Sequence, residues 1–161
     1  MRGTLPDDLD VALVPATAAE RAALWAMMRE ELGDQFDRIT AALGISWAEF
    51  EALYATRGEV LTVRCAGEVA GYGWIELRHR ELHLHAIFVL PEQQGRGIGS
   101  AALRRLEAKF GDRADVIELG VSHGNPRARA LYERAGFVVV TTLPDVGYDI
   151  MRKPLREAPV T

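Results

Sequence analysis

A single cysteine, Cys65, stands among 161 residues, so no internal disulfide can form and the chain must hold together by packing. Free cysteine packs as a small hydrophobe, and Cys65 ends the apolar run Val60-Leu61-Thr62-Val63-Arg64-Cys65, so a buried, space-filling role is expected. There is no excess of positive charge. Lys and Arg number 19 against 23 Asp and Glu, for a net charge of −4, so the basic face of a nucleic-acid partner is not expected. Nor is there a run of about 18 apolar residues of the kind that crosses a membrane. The opening MRGTLPDDLD lacks the apolar stretch of a signal peptide. The expectation is a cytoplasmic protein without nucleic-acid or membrane partners. Internal repeats and linkers are missing too. What is present, 48% hydrophobic and 26% charged residues, suits one domain with a real core. That domain is expected over residues 10–154, with loose termini at 1–9 and 155–161.

The pattern of residues predicts mixed α/β structure. Val11–Val14 reads as a short strand. Thr17-Ala18-Ala19-Glu20 and Ser46-Trp47-Ala48-Glu49 are capping boxes, in which hydroxyl and carboxylate satisfy each other's free backbone N–H groups. They open two helices, joined by the polar link Gly33-Asp34-Gln35-Phe36-Asp37 into one arm from Thr17 to about Ala55. Glu59–Cys65, Val69–Leu77 and Glu81–Leu90 then read as an antiparallel meander, with turns at Gly67-Glu68 and around Arg78-His79-Arg80. A helix runs from Ile98 to Phe110 and a strand from Val116 to Val121. Asn125-Pro126 starts another helix as N-cap and first-turn proline, and Gly136 stops it. Phe137–Thr142 and Val146–Met151 close the sheet.

The densest glycine cluster is Gln93-Gln94-Gly95-Arg96-Gly97-Ile98-Gly99-Ser100, between a strand and a helix. A helix N-terminus presents free N–H groups and a positive dipole end, and glycines let a phosphate reach that backbone. The loop has no lysine, which excludes a Walker-type site. Gly97, Gly99 and Ala102 do satisfy G-x-G-x-x-A, with Glu118 at ribose-ligand distance. A dinucleotide fold should open with this motif, however, and here a helical arm and a meander precede it.

The surroundings point elsewhere. His85-Ala86-Ile87-Phe88-Val89-Leu90-Pro91, then Gln94-Gly95-Arg96-Gly97-Ile98-Gly99, then Asn125-Pro126-Arg127-Ala128-Arg129-Ala130-Leu131-Tyr132-Glu133-Arg134-Ala135-Gly136-Phe137 resemble the GCN5-related N-acetyltransferases. Gln94, Gly97 and Gly99 satisfy that family's Q/R-x-x-G-x-G/A acetyl-CoA motif, and the last block resembles its N-x-x-A-x-x-L-Y-x-x-x-G-F segment. The resemblance covers about residues 10–154. It implies a mixed, mainly antiparallel sheet flanked by helices, with acetyl-CoA as co-substrate and a small-molecule or peptide amine as acceptor. The loop Gln94, Gly95, Arg96, Gly97, Ile98, Gly99 and Ser100 would then receive the CoA pyrophosphate. Ile87, Phe88 and Val89 would offer backbone to pantetheine, lying between the strands Glu81–Leu90 and Val116–Val121. Asn125 and Ala128 would contact the cofactor from their helix. No metal is implied.

Transfer to an amine needs a proton donor for the leaving thiolate and an acceptor for the amine proton. Tyr132 matches the family's acid; ring packing in the core is its other reading. The base is left open between His83, which aligns with a catalytic glutamate of histone-type members, and Glu118. The position where some protein-acetylating members carry a glutamate is Gly120 here. Either histidine also suits a hydrogen-bonded structural role, and two histidines two residues apart with no third ligand do not make a metal site. Glu30, Glu31, Asp34 and Asp37 gather at the helical arm's link, where they either draw a cationic amine or form a solvated face. A non-catalytic acyl-CoA sensor and a nucleotide-dependent oxidoreductase are the rival functions. Oligomeric state is left open, a homodimer included.

Overall fold

A computed structural model describes residues 9–33 and 35–156. Seven strands run in the order β1 (Val11–Pro15), β2 (Glu59–Cys65), β3 (Glu68–Arg78), β4 (Glu81–Val89), β5 (Val116–Ser122), β6 (Val138–Leu143) and β7 (Tyr148–Pro154). The helices are α1 (Ala18–Leu32), α2 (Gln35–Leu43), α3 (Trp47–Thr56), α4 (Ile98–Phe110) and α5 (Pro126–Arg134). One sheet takes all seven strands, ordered β1-β2-β3-β4-β5-β7-β6. Every neighbouring pair is antiparallel except β4 and β5. The mixed, mainly antiparallel fold expected from the sequence is the fold observed.

Alternation along the strands sorts the core onto two faces. Ile75, Leu82, Leu84, Ile117 and Leu119 pack against Leu103, Leu106 and Phe110 of α4 and Tyr132 of α5. Val60, Tyr72 and Trp74 pack against Leu24 and Met28 of α1 and Tyr54 of α3. Leu103 is 1% exposed, and truncating such a side chain to alanine costs about 2–5 kcal/mol. Cys65 is buried among Val11, Val63 and Ile98, as its setting predicts. Both capping boxes form, each with two reciprocal side-chain bonds. No described helix is long and apolar enough to cross a membrane.

The helical arm differs from expectation: it has three helices rather than two. Gly33 ends α1 with φ +40° while its N–H still bonds Arg29, and α2 begins only two residues later. Phe36, Ile39 and Leu43 give α2 its helical spacing, and Phe36 is fully buried. The supposed polar link is therefore mostly the first turn of a helix. The β2–β3 turn also sits one residue earlier than expected, on Ala66 and Gly67, both at positive φ.

Two features fix β4 against β5. At the β3–β4 turn, His79 and Arg80 both take left-handed conformations without glycine. The Arg80 guanidinium forks onto Asp115 at 2.9–3.2 Å, and the Asp115 N–H bonds the Arg80 carbonyl at 2.8 Å. This ties the start of β4 to the start of β5. Further along, β4 carries a bulge: Leu84 pairs with Ile75 and Ala86 with Trp74, leaving His85 as the extra residue. A bulge bends its strand and sharpens the twist. The β4–β5 ladder runs from Glu81↔Val116 to Leu84↔Leu119 and stops there, one residue before the bulge. Residues 1–8 and 157–161 lie outside the described residues, and with them most of both proposed loose termini. Leu155, just past the expected boundary, bonds Asp115 through its N–H.

Candidate active site

Beyond Leu84 the two central strands part. Each keeps its outer partner, β4 pairing with β3 as far as Val89↔Gly71 and β5 with β7 as far as Ser122↔Tyr148. Between them opens a cleft of about 1240 Å³. Its walls include His85–Val89 of β4, Gly120–Ser122 of β5, the loop residues Gln94, Gly95 and Gly97, and Ile98, Gly99 and Ser100 at the start of α4. Asn125, Ala128 and Tyr132 of α5 complete that side. Of the residues singled out from the sequence, twelve therefore meet at one cleft. Arg96 is not among the lining residues; it bonds Gln93 beside the loop.

The loop's conformation explains its glycines. Gly95 and Gly97 have φ of +79° and +83°, which costs an L-residue about 1–2 kcal/mol. Gly97 caps α4 without a side-chain bond, leaving the first-turn N–H groups free toward the cleft. At Gly99 the constraint is packing. A Cβ there would sit 3.1 Å from Leu131 of α5 and 3.7 Å from Val89. Gln94 holds the Val89 carbonyl at 3.0 Å, anchoring the loop to β4. Asn125 accepts from the Ala128 N–H at 3.1 Å, so it does cap α5.

Tyr132 is 7% exposed, with its ring 5.9 Å from that of Phe137. Burial, with Tyr148 adding to it, pushes its phenol up to about 12. Neither residue expected as the base, His83 or Glu118, lines the cleft; His85, two residues along β4 from His83, does. His83 lies 3.5 Å from Glu81 and 3.6 Å from Glu118, and Arg152 pairs with both carboxylates at 2.7 and 3.2 Å. Burial lowers the His83 pKa, with Arg78 acting in the same direction against Glu118. His85 is held at 2.9 Å by Glu76 and stacks near-parallel to His83 at 6.2 Å between ring centres. Burial works to raise the Glu76 pKa, but the His85 bond and the Arg78 charge outweigh it and keep the carboxylate ionised. Glu118 is thus engaged at the closed end of the β4–β5 pair, away from the glycine loop, where a ribose-binding acid has no use.

Sequence reasoning missed the bulge at His85 and the far wall of the cleft. The bulge had a signal. Core positions on β4 run Leu82, Leu84, then Ile87 and Val89, a step of three where a regular strand steps by two. The far wall is made by Met28, Glu31 and Leu32 of α1, by Gln35, Phe36, Ile39, Ala42 and Leu43 of α2, by Phe50, by the turn Leu143–Val146, and by Tyr148 and Ile150. Gln35 ties α2 to β5 through a 2.8 Å bond to Ser122. Of the acidic group expected there, Glu31 lines the cleft, Glu30 and Asp37 do not, and Asp34 lies outside the described residues. Two arginines, Arg127 and Arg134, line the cleft from α5, and among the described residues neither has a hydrogen-bond or ion-pair partner. Below them Asp149, buried on β7, bonds His123 at 2.9 Å and pairs with Arg129. The His123 bond, Thr142 and Arg129 draw its carboxyl down to about 2.

Comparison with known proteins gives a consistent result. The sequence model of the acetyltransferase (GNAT) family matches residues 22–137. The L-amino acid N-acyltransferase MnaT of Escherichia coli K12 is 32% identical over 109 residues, which cover 64% of this chain and 62% of that protein. The chain thus spans under two thirds of that relative's length. Ard1 from Thermoplasma volcanium superposes with a TM-score of 0.69 at 18% identity, over 91% of this chain and 99% of its own. YncA from Salmonella typhimurium, solved with its cofactor acetyl-CoA, gives 0.62 at 21% identity, over 93% of this chain and 96% of its own.

Proposed function

The chain belongs to the acetyltransferase (GNAT) family, and from that premise we propose that it moves an acetyl group from acetyl-CoA to a primary amine, by direct attack in a ternary complex. The observation that carries this reading is the gap between β4 and β5. It is a strand-wide slot with unpaired backbone on both sides, a phosphate-ready loop at its mouth and a phenol in its wall. Pantetheine lies along Ile87, Phe88 and Val89 as an added strand would. The pyrophosphate meets the N–H groups around Gly97–Ser100. Arg127 and Arg134 face the remaining phosphate of CoA.

An alkyl ammonium has a pKa near 10.4 and is no nucleophile until it loses a proton. His85 stands at the cleft to take it, with Glu76 fixing the ring from behind. His83, two residues back along β4 and neutral near pH 7 because burial lowers its pKa, stacks beside that ring with its own nitrogens turned to Glu81 and Glu118. The free amine then attacks the thioester carbon. The C–N bond forms, the C–S bond breaks, and Tyr132 donates toward the departing thiolate, while the nitrogen gives its remaining extra proton to His85, which has released the first to solvent through the open cleft. A phenol near 12 is a weaker acid than a thiol near 8.5, so this donation runs only in concert with C–S cleavage.

The test is to incubate the purified protein with acetyl-CoA and a panel of amines, following CoA thiol release and the acetylated product by mass spectrometry. Turnover with at least one amine is expected. Tight acetyl-CoA binding with no product from any acceptor would leave only the sensor reading. His85→Ala is expected to lower kcat by about 10²–10⁴-fold, and His83→Ala by less, with cofactor affinity kept in both.

A further inference from the structure

We infer that the acceptor is an alkyl or arylalkyl amine carrying no carboxylate, rather than an amino acid; this rests on the acetyl-transfer reading above. The far half of the cleft sorts its charges in one direction. Glu31 and Asp145 line it, and no lysine or arginine does so among the described residues. The arginines that do reach the cleft, Arg127 and Arg134, stand on α5 with the glycine loop. The nearest cations behind His85 are already engaged. Arg57 and Arg78 both pair with Glu76, and Arg152 pairs with Glu81 and Glu118.

An α-carboxylate would therefore enter a half-cleft whose charged side chains are acidic, with no lysine or arginine among the described residues there to pair with it. Taking an unpaired charge out of water is among the more expensive things a binding site can do. At the β5 end Ser122 accepts from Gln35 and from the Gly124 N–H, so it has one neutral O–H, and no positive charge, to set against a carboxylate. A single ammonium, by contrast, meets Glu31 at the rim on its way to His85, near the Tyr148 phenol, whose pKa burial raises with the Glu31 charge adding to it. The rest of the wall is apolar: Met28, Leu32, Ile39, Leu43, Phe50 and Ile150. Those surfaces suit a hydrocarbon body.

The experiment compares matched pairs with saturating acetyl-CoA: 2-phenylethylamine against L-phenylalanine, 3-methylbutylamine against L-leucine, with L-phenylalaninamide alongside. Each decarboxylated amine is expected to exceed its parent amino acid in kcat/KM by about 100-fold, the scale of an unpaired buried charge. Amino acids turned over as well as their amines would overturn the proposal while leaving acetyl transfer standing. Phenylalaninamide outpacing phenylethylamine by tenfold would overturn it in favour of a peptide amino terminus. No turnover of any acceptor by a protein that binds acetyl-CoA would sink the transfer reading itself. A charge reversal gives an independent arm. Glu31 is exposed, so Glu31→Arg leaves the fold intact, and it is expected to shift the amine-to-amino-acid preference at least tenfold toward the amino acid. An unchanged ratio would count against the proposal.

Discussion

On the donor side of the cleft, β4 residues 85–89 and the loop 94–100 offer backbone to the ligand, with glycines wherever a side chain would intrude. On the acceptor side, α1, α2 and the β6–β7 turn offer side chains, drawn from positions 28 to 150. The first half can tolerate many substitutions that leave φ, ψ and the helix start alone. The second changes its chemistry with almost any substitution. A family can keep one donor and exchange acceptors on this division of labour, because the two ligands are read by different kinds of atom.

Four perturbations put the difference between the two sides to the test. The largest effect is expected at the seam of the halves. Tyr132→Phe keeps the ring and removes the proton, so kcat should fall by up to about 10²–10⁴-fold with unchanged acetyl-CoA affinity by calorimetry. With the phenol near 12, the wild-type rate should show no descending limb from this group below about pH 10. Full activity in the phenylalanine variant would mean that the residue only packs. Next comes the donor side. Gly99→Val forces a branched side chain against Leu131 and Val89 and into the helix start, and should weaken acetyl-CoA binding by about 100-fold in a protein that still folds. An unchanged affinity would refute a backbone-read donor site.

A smaller loss is expected from removing two side chains on the same side. Arg127→Gln with Arg134→Gln should raise KM for acetyl-CoA by about tenfold, the worth of one charge-assisted bond. It should leave the KM for 3′-dephospho-acetyl-CoA in place. Equal losses with both donors would show that the arginines act through general charge. The smallest effect concerns the joint between halves. Asp149 sits between the acceptor-floor residues Tyr148 and Ile150, yet its carboxylate holds His123 and Arg129 on the donor side. Its pKa is depressed, to about 2 from 3.8. Such a group contributes stability above its unfolded pKa and loses it as pH falls through the folded one. Thermal unfolding should therefore drop between about pH 4 and pH 2 in the wild type. Asp149→Asn should lower the melting temperature by a few degrees at pH 7 and flatten that acid drop. Superimposable profiles would show that the joint does not stabilise the fold.

The same division explains what could be read from the chain alone. Motifs with fixed spacing were legible, because local backbone rules produce them: the loop around Gly97, the two capping boxes, and Asn125-Pro126 before α5. The meander was legible from alternation. The helix α2 was not, although Phe36, Ile39 and Leu43 have helical spacing, because Gly33 before it looks like the start of a loop. The bulge at His85 was visible only as a slipped phase between Leu84 and Ile87. The acceptor wall had no signal. Its residues come from five elements that meet through tertiary packing, and nothing in their separations along the chain records that they meet.

The strand order has a consequence for the order in which the molecule is made. β7 is synthesised after β6 but lies between β5 and β6. A nascent chain that has emerged only as far as Leu143 already holds β1 to β5 and all five helices. It leaves β5 with a bare edge, and β6, whose valines are exposed even in the finished sheet, has nothing to pair with. Tyr148 and Ile150 arrive with the last strand, so on the ribosome the glycine loop can fold and meet CoA before the acceptor floor exists. An arrested or truncated chain would be a donor-binding species with two sticky edges, and a chaperone or protease would meet it in that form.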